Sequence, residues 1–273
     1  LPLRETICAC AELCKRHAPH ILNTFHAGIR ESYTMFGDED WYDFCLNYTY
    51  DYDSCIRQMI GAKTQYPGKP AILGETHYEG NAGIHSGMIR KFAYTSMILG
   101  GTGQTFGNKD IWMGTMFFED ALCSAGAQHM LILREFMETV PWYSLRADRE
   151  GTEIETVRSV MPGASAHYIP TAISEDHSLL LAYVDDRRYF VLSRKSVYTG
   201  EWADPVSGRR FVFDGGAGRV LSIPGCNAEG TTDWILLVRF EPEHPDEENS
   251  FSGRDACAVA RPVYSNTGEE GEQ

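Results

Sequence analysis

The chain has 273 residues, of which 43% are hydrophobic, and its formal net charge is −14 at pH 7. At a usual size of about 150 residues per domain, this length predicts two folded units. The acidic balance argues against a nucleic-acid partner, which needs basic surface to neutralise phosphates. No stretch approaches the roughly 20 apolar residues of a membrane-spanning helix, so no membrane partner is predicted.

The first half of the chain alternates helical and strand-like patterns. Apolar residues at helical spacing predict helices, and short apolar runs predict strands. The predicted helices cover residues 4–17, 51–62, 89–99 and 121–140, and the predicted strands cover residues 21–25, 44–47, 71–75 and 102–107. Strand and helix alternating four times is typical of a parallel sheet. We therefore predict an α/β domain over residues 1–146 that is half of a (β/α)8 TIM barrel.

Beyond this region the pattern changes to short alternating runs separated by turn residues. The runs predict strands over residues 165–169, 179–184, 188–192, 210–213, 219–223 and 234–240. Residues 147–240 are therefore predicted to form an all-β sandwich. Residues 241–273 hold nine acids against two arginines, a net charge of −7, and few apolar residues. This composition predicts an acidic, disordered tail.

The eight cysteines are scattered along the chain, which favours buried thiols over a disulfide scaffold. Cys10, Cys14 and His17 share one helical face, but zinc ligands usually occur in closer CxxC-type pairs. No metal and no other cofactor is predicted. Because the chain begins at Leu1 without a signal-peptide pattern, we expect its native beginning to lie upstream, and its localisation cannot be read from this end.

Glu75 is the leading catalytic candidate. It ends the apolar run of residues 71–74, and α/β barrels carry their chemistry at the C-terminal ends of their strands. The alternatives are a helix cap or a salt bridge. Gly80 and Gly83 favour a loop after Glu75 over a helix starting directly there.

The residues around this strand end suggest further roles. Tyr78 or His77 would orient Glu75 by hydrogen bonding, and Tyr78 is favoured. Glu79 would contact sugar hydroxyls, or equally form a loop salt bridge with Arg90.

Two further candidates stand at other strand ends. His26, at the end of the first predicted strand, would bind substrate or be a satisfied core residue. Trp112, after the last strand of the half barrel, would stack on a sugar face or pack under the rim.

Several stretches read together resemble the apiosidase-like glycoside hydrolases, whose catalytic barrel is followed by a small β domain. The resemblance covers nearly the whole chain to about Phe240 and rests on the order and spacing of its motifs. These are residues 20–26, Asp-Trp-Tyr-Asp-Phe at 40–44, Lys-Pro through Glu and Tyr-Glu at 69–79, Gly-rich 100–107 with Ile-Trp at 111–112, 121–130, Trp-Ala-Asp-Pro with Gly at 202–208, and Asp-Trp at 233–234.

The resemblance implies a retaining glycosidase, a carbohydrate substrate, and secretion from the cell. In such barrels the nucleophile ends the seventh strand and the acid/base carboxylate ends the fourth. The four strands here then look like strands 5–8, the C-terminal half of the barrel, and Glu75 becomes the nucleophile. The family's Gly-Gly-Asp segment, which supplies the acid/base, has no equivalent in residues 1–273. Retaining cleavage needs both carboxyl groups, about 5 Å apart, so the chain alone is expected to be inactive.

Two substrate-contact positions depart from the family pattern. After Asn47 the family usually continues Gln-Ser-Gly-His, whereas Tyr-Thr-Tyr-Asp follows here, and Gln104 stands where the family usually has histidine. The resemblance still places Asn47 and Gln104 among the substrate-binding residues, with contacts that differ.

Other functions remain open from the sequence. The second is a carbohydrate- or matrix-binding protein that acts through the β sandwich, with Trp202 and the turn at 204–208 as its surface. A metal hydrolase is weaker because no ligand set recurs at the strand ends. A half barrel would also leave two open sheet edges, which invite self-association.

Overall fold

The computed structural model describes residues 3–157, 168–186 and 188–242. The chain divides into two compact units, Leu1–Pro242 and Glu243–Gln273. The second unit, and with it nearly all of the predicted acidic tail, lies outside the described residues. Among the residues described, no helix is long and apolar enough to cross a membrane.

The part before residue 145 combines helices with short parallel strands. The helices are α1 Leu3–His17, α2 Tyr33–Phe36, α3 Tyr52–Gln65, α4 Ser86–Ile98, α5 Lys109–Met113, α6 Phe118–Ala121 and α7 Ala125–Glu138. The strands are β1 Cys45–Tyr48, β2 Ala71–Glu75, β3 Tyr78–Glu79, β4 Gly103–Gln104 and β5 Gly107–Asn108. One parallel sheet has the order β1-β2-β4, and β3 pairs in parallel with β5. The predicted strand over 102–107 is thus two short strands in different sheets.

The predicted strand over residues 21–25 is wrong. These residues form an extended segment outside any ladder. Their polar groups are taken up differently: the Asn23 amide donates to the Asp43 carboxylate at 2.5 Å, and the Thr24 hydroxyl donates to the Phe44 carbonyl at 2.7 Å. One backbone bond, from the Asp43 amide to the Asn23 carbonyl at 2.9 Å, also joins the two stretches. The segment therefore lies beside the start of β1 without forming a ladder with it. In the described residues the parallel sheet therefore has three strands and not four.

The part from residue 145 onward is mostly antiparallel sheet. Its strands are β6 Leu145–Ala147, β7 Ile154–Thr156, β8 Thr171–Ser174, β9 Leu179–Val184, β10 Phe190–Leu192, β11 Tyr198–Ala203, β12 Arg210–Gly215 and β13 Trp234–Phe240. In the described residues, six of them form one sheet in the order β12-β11-β13-β9-β8-β6, and β7 pairs with β10. The predicted all-β character is confirmed, and the sandwich arrangement stays a prediction.

One predicted strand of this part is absent, and another lies partly outside the described residues. Residues 219–223 make only an isolated bridge of Leu221 to Phe190, and they lie between left-handed Gly218 and Pro224. Residues 165–167 of the predicted strand 165–169 lie outside the described residues. The strands β6, β7, β8 and β11 were not predicted.

The helices and the large sheet share one core. Along β9 the side chains alternate between faces, as strand geometry requires. Leu181 and Tyr183 pack with helix residues Tyr94 and Phe136, whereas Leu180, Ala182 and Val184 belong to the cluster on the opposite face. Every residue of β9 is therefore buried. The predicted boundary between residues 146 and 147 stays a prediction, although this core spans it.

Arg90 is fully buried and connects α4 to the loop before β13. Its guanidinium makes a two-bond contact to Asp233, with Nε to Oδ2 at 2.7 Å and Nη2 to Oδ1 at 2.8 Å. Arg90 Nη1 also lies 2.9 Å from Glu229 Oε2 and 2.9 Å from His129 Nδ1. Burial raises the pKa of Asp233, but its bonds to Arg90 outweigh this and lower it to about 2.

Two further predictions are corrected by burial. The thiols of Cys45 and Cys55 are buried as predicted, but Cys10, Cys14 and Cys123 are exposed. Trp202 is only 5% exposed and packs in the sheet core. The prediction that Trp202 forms part of a binding surface is therefore wrong. Its motif instead builds a turn in which Asp204 Oδ1 accepts the amides of Val206 and Ser207 at 2.8 and 3.2 Å.

Candidate active site

Glu75 lies at the C-terminal end of β2. The strand is buried through Ala71 and Leu73, whereas the Glu75 side chain is 23% exposed. Gly74 allows β1 to approach closely, because a Cβ there would meet Leu46 at 2.6 Å. The next helix begins only at Ser86, so Glu75 does not cap a helix.

Each carboxylate oxygen of Glu75 has a side-chain partner. His26 Nε2 lies 2.7 Å from Oε2. On the other side, the Tyr78 hydroxyl donates to Oε1 at 3.1 Å and the Tyr50 hydroxyl approaches the same oxygen at 3.4 Å. None of these three partners is a second carboxyl group. The arrangement fixes the orientation of one carboxylate whose edge still faces solvent.

Tyr78 and Tyr48, two of the tyrosines near Glu75, have raised pKa values. Burial, together with the hydrogen bond to Glu75 and its charge, raises the pKa of Tyr78 to about 12. Burial, the bond to Tyr50 and the Glu75 charge also raise the pKa of Tyr48. Its hydroxyl donates to that of Tyr50 at 2.6 Å. Near neutral pH the phenols of Tyr78 and Tyr48 are therefore protonated donors, which suits a site built around an anion.

Aromatic rings line the site on both sides of Glu75. The rings of His26 and Tyr48 lie 4.9 Å apart, and those of Tyr48 and Tyr50 lie 5.2 Å apart. On the other side, the Tyr78 and Trp112 rings are 5.4 Å apart. Aromatic faces of this kind stack on the apolar faces of sugars.

Tyr48 and Tyr50 also belong to the site, although neither was predicted from the sequence. Tyr48 is opposite Glu75 in the β1–β2 register, and Tyr50 follows just beyond the strand end. Their only sequence signal is the departure from the family pattern after Asn47. His77 makes no bond to Glu75, because its ring packs between Tyr50 and Phe92.

Asn47 and Gln104 do not reach Glu75. Asn47 is fully buried, and its amide nitrogen lies 3.2 Å from Met59 Sδ. The Gln104 amide nitrogen lies 2.8 Å from Met130 Sδ. The side-chain oxygens of both residues are buried without a hydrogen-bond partner among the described residues.

Glu79 is committed to the start of α7. Its Oε2 accepts the Ser124 hydroxyl at 2.6 Å, and its Oε1 accepts the Gly126 amide at 2.8 Å. A carboxylate is favourable at this end of a helix. The alternative pairing of Glu79 with Arg90 is wrong, because Arg90 is occupied by Asp233 and Glu229. Glu79 thus anchors the loop after Glu75, and it shares none of the hydrogen-bond partners of the Glu75 carboxylate.

Gly107 permits the close contact between β3 and β5. A Cβ at Gly107 of β5 would lie 3.0 Å from the Tyr78 ring. This close approach places Trp112, just beyond β5, against Tyr78.

No group of three or more His, Cys, Asp or Glu side chains in the described ranges is placed to hold a metal ion.

Solved structures share this fold. One, named a glycoside hydrolase, matches with a TM-score of 0.69 at 21% identity, over 86% of this chain and 61% of that chain. A second, a glycoside hydrolase of family 5 from Bacteroides vulgatus ATCC 8482, matches with a TM-score of 0.69 at 20% identity, over 85% of this chain and 58% of that one. The chain therefore has the fold of glycoside hydrolases and spans about three fifths of the length of these two.

The sequence defines the family more closely. Residues 3–144, more than half of the chain, match the profile described as apiosidase-like, catalytic domain. The chain belongs to the apiosidase-like glycoside hydrolase family, which confirms the resemblance. No curated protein matches it.

Proposed function

We propose that this chain carries the nucleophile side of a retaining glycoside hydrolase active site, with Glu75 as the nucleophile. The observation that supports it best is the strand-end carboxylate of Glu75, whose two oxygens are held by His26 and Tyr78 and which remains partly exposed. We also propose the finer architecture that goes with this role: residues 1–146 belong to the C-terminal half of a TIM barrel, with β1, β2 and β4 as its strands 6, 7 and 8, and residues 147–240 form a β sandwich.

The proposed reaction has two displacements. The Glu75 carboxylate bonds to the anomeric carbon as the bond to the leaving oxygen breaks, and that oxygen takes a proton from an acid/base carboxyl group. Water, giving its proton to the same acid/base group, then attacks the anomeric carbon and releases Glu75. His26 and Tyr78 keep Glu75 aimed at that carbon, and Trp112 offers a face to the sugar.

The second carboxyl group is the missing part of this proposal. It would have to lie about 5 Å from Glu75 across the scissile bond. Residues 1–273 contain no Gly-Gly-Asp segment, and Glu79, the nearest acid along the chain, is bound to α7. We therefore expect the chain alone to form the glycosyl-enzyme slowly or not at all from ordinary glycosides. The substrate of the intact enzyme would be a complex polysaccharide.

An activated sugar tests the nucleophile without the acid. A 2-deoxy-2-fluoroglycosyl fluoride needs no protonation, since fluoride leaves as an anion while Glu75 forms an ester bond to the anomeric carbon. The fluorine at position 2 slows hydrolysis, so the adduct accumulates. A panel of such pentosyl and hexosyl fluorides is incubated with the protein, and the labelled peptide is identified by mass spectrometry.

We expect at least one member of the panel to label the peptide that contains Glu75. Glu75→Gln should abolish labelling, whereas Glu12→Gln, at an exposed carboxylate on α1, should leave it unchanged. Labelling at another residue, or no labelling by any member, would refute Glu75 as the nucleophile.

The binding function through the β domain is not proposed further. Its expected surface depended on an exposed Trp202, and that side chain is buried.

A further inference from the structure

The loop beyond Trp112 exposes an unusual amount of apolar surface. We define the apolar loop as residues 112–122. Its large side chains are exposed throughout: Trp112, Met113, Met116, Phe117, Phe118 and Leu122, with Met116 at 89% and Phe117 at 55%. Single exposed apolar residues need no explanation, but a run of this kind usually marks a binding surface.

Hydrogen bonds at the base of the apolar loop fix its conformation. Asn108 Oδ1 accepts the Asp110 amide at 2.9 Å, which caps α5. The Thr115 hydroxyl donates to Asp110 Oδ1 at 2.8 Å, and the Phe117 amide is 3.2 Å from the same hydroxyl. Gly114 takes the left-handed conformation that ends α5. The apolar side chains are thus presented on a built scaffold, which reduces the ordering cost of binding.

The apolar loop is continuous with the candidate active site. Its first residue, Trp112, packs against Tyr78, and the Tyr78 hydroxyl donates to Glu75. A group attached to the sugar at Glu75 would therefore lie close to Trp112, the first residue of the apolar loop.

The chemistry of the apolar loop selects the kind of group it would hold. Neighbouring sugar units present many hydroxyls, but Met113, Met116, Phe117 and Phe118 offer them no polar side chain. Methionine sulfur and phenyl rings instead make favourable contacts with flat aromatic groups. The charged side chains of residues 110–122 are Asp110, Glu119 and Asp120, all acidic, which disfavours a carboxylated ligand.

We propose that the apolar loop binds an uncharged aromatic aglycone, so that the substrate class includes glycosides of phenols. This rests on the proposed function for its link to catalysis. The binding step itself does not require Glu75 to react, and the two ideas are therefore separable.

The test uses the full chain and 2-naphthol as the probe, with binding followed by saturation-transfer NMR and titration. We expect saturable binding to the wild-type protein and at least about tenfold weaker binding after M116S combined with F117S, since two apolar contacts are lost. Val212→Ser combined with Val220→Ser removes two exposed apolar side chains elsewhere and should leave the affinity unchanged. Circular dichroism checks that each variant is folded.

Two results would overturn the proposal. One is the absence of saturable 2-naphthol binding, which is also the outcome if another polypeptide segment covers the apolar loop. The other is equal binding by the wild type and the M116S/F117S variant. Glu75→Gln should bind 2-naphthol as well as the wild type does. Failure of fluoride labelling with intact 2-naphthol binding would therefore refute the nucleophile alone.

Discussion

Each oxygen of Glu75 faces a different kind of partner. Oε2 lies against the His26 ring, and Oε1 accepts from Tyr78 and, at longer range, from Tyr50. A carboxylate held on both sides loses little freedom when it attacks, which is the benefit that positioning confers on a nucleophile. The Tyr78 phenol suits this role because its raised pKa keeps its proton in place.

Tyr78→Phe tests this positioning role. The change removes one donor to a charged group, a bond usually worth about 1.5–3 kcal/mol. With the fluoride that labels the wild type, we expect the labelling rate to fall by about tenfold or more. The exposed Tyr189→Phe serves as the matched control and should label at the wild-type rate. An unchanged rate in Tyr78→Phe would mean that His26 and Tyr50 orient Glu75 without Tyr78.

Individual residues also mark the limit of what the sequence could predict about the site. Glu75 was predictable because an apolar run ending in a carboxylate has a local pattern. Tyr48 was not, because its place beside Glu75 depends on the register between β1 and β2. Glu79 was assigned to the site by proximity in sequence, but its partners Ser124 and Gly126 come from a helix much later in the chain.

At the scale of elements, α4 is the piece that joins the two halves of the described fold. Phe92 packs toward the parallel strands, whereas Tyr94 packs toward the large sheet. Arg90, on the same helix, binds Asp233 just before β13. The periodicity of α4 predicted a helix correctly, but the sequence did not indicate that a charged residue would be buried on it.

Arg90→Ala should destabilise the protein strongly. It would leave Asp233, a buried carboxylate that also accepts the Tyr183 hydroxyl at 2.7 Å, without its cation. Breaking a buried pair in this way typically costs about 3–5 kcal/mol, measured as the loss in free energy of urea unfolding at neutral pH. The exposed pair of Arg134 with Glu138 provides the control, and Arg134→Ala should have almost no effect. A small effect of Arg90→Ala would show that water or a neighbouring side chain replaces the guanidinium.

The same pair predicts how stability depends on pH. The pKa of Asp233 is lowered from 3.8 to about 2 in the folded state, so the unfolded state binds a proton first as the pH falls. The stabilisation by ionised Asp233 should therefore be complete above about pH 5 and be lost between about pH 4 and 2. Urea unfolding of the wild type and of Asp233→Asn over this range measures it. A difference between the two proteins that stays constant down to pH 2 would contradict the assignment.

At the scale of the whole molecule, the sequence predicted classes of structure better than their boundaries. The parallel alternation and the later all-β character follow from short-range periodicity, and both are present. The segment at 21–25 has a strand-like composition, yet two of its three hydrogen bonds to Asp43 and Phe44 involve a side chain, and no ladder forms. The strand β11 was not predicted because Gly200 and Glu201 interrupt its apolar pattern, although its neighbours β12 and β13 pair with it along its full length.

The open edge of the parallel sheet leads to a prediction about assembly. In the described residues β4 pairs with β2 on one side and with no strand on the other. Unpaired strand edges favour pairing with a further chain. We therefore expect residues 1–273 to self-associate as the concentration rises from micromolar towards millimolar, measured by sedimentation velocity. Thr102→Lys, at the exposed residue just before β4, should weaken this association because a lysine at an edge disfavours pairing. Thr64→Lys, on the exposed surface of α3, should not. A monomer throughout the concentration range, or equal association in both variants, would mean that the β4 edge is not the contact.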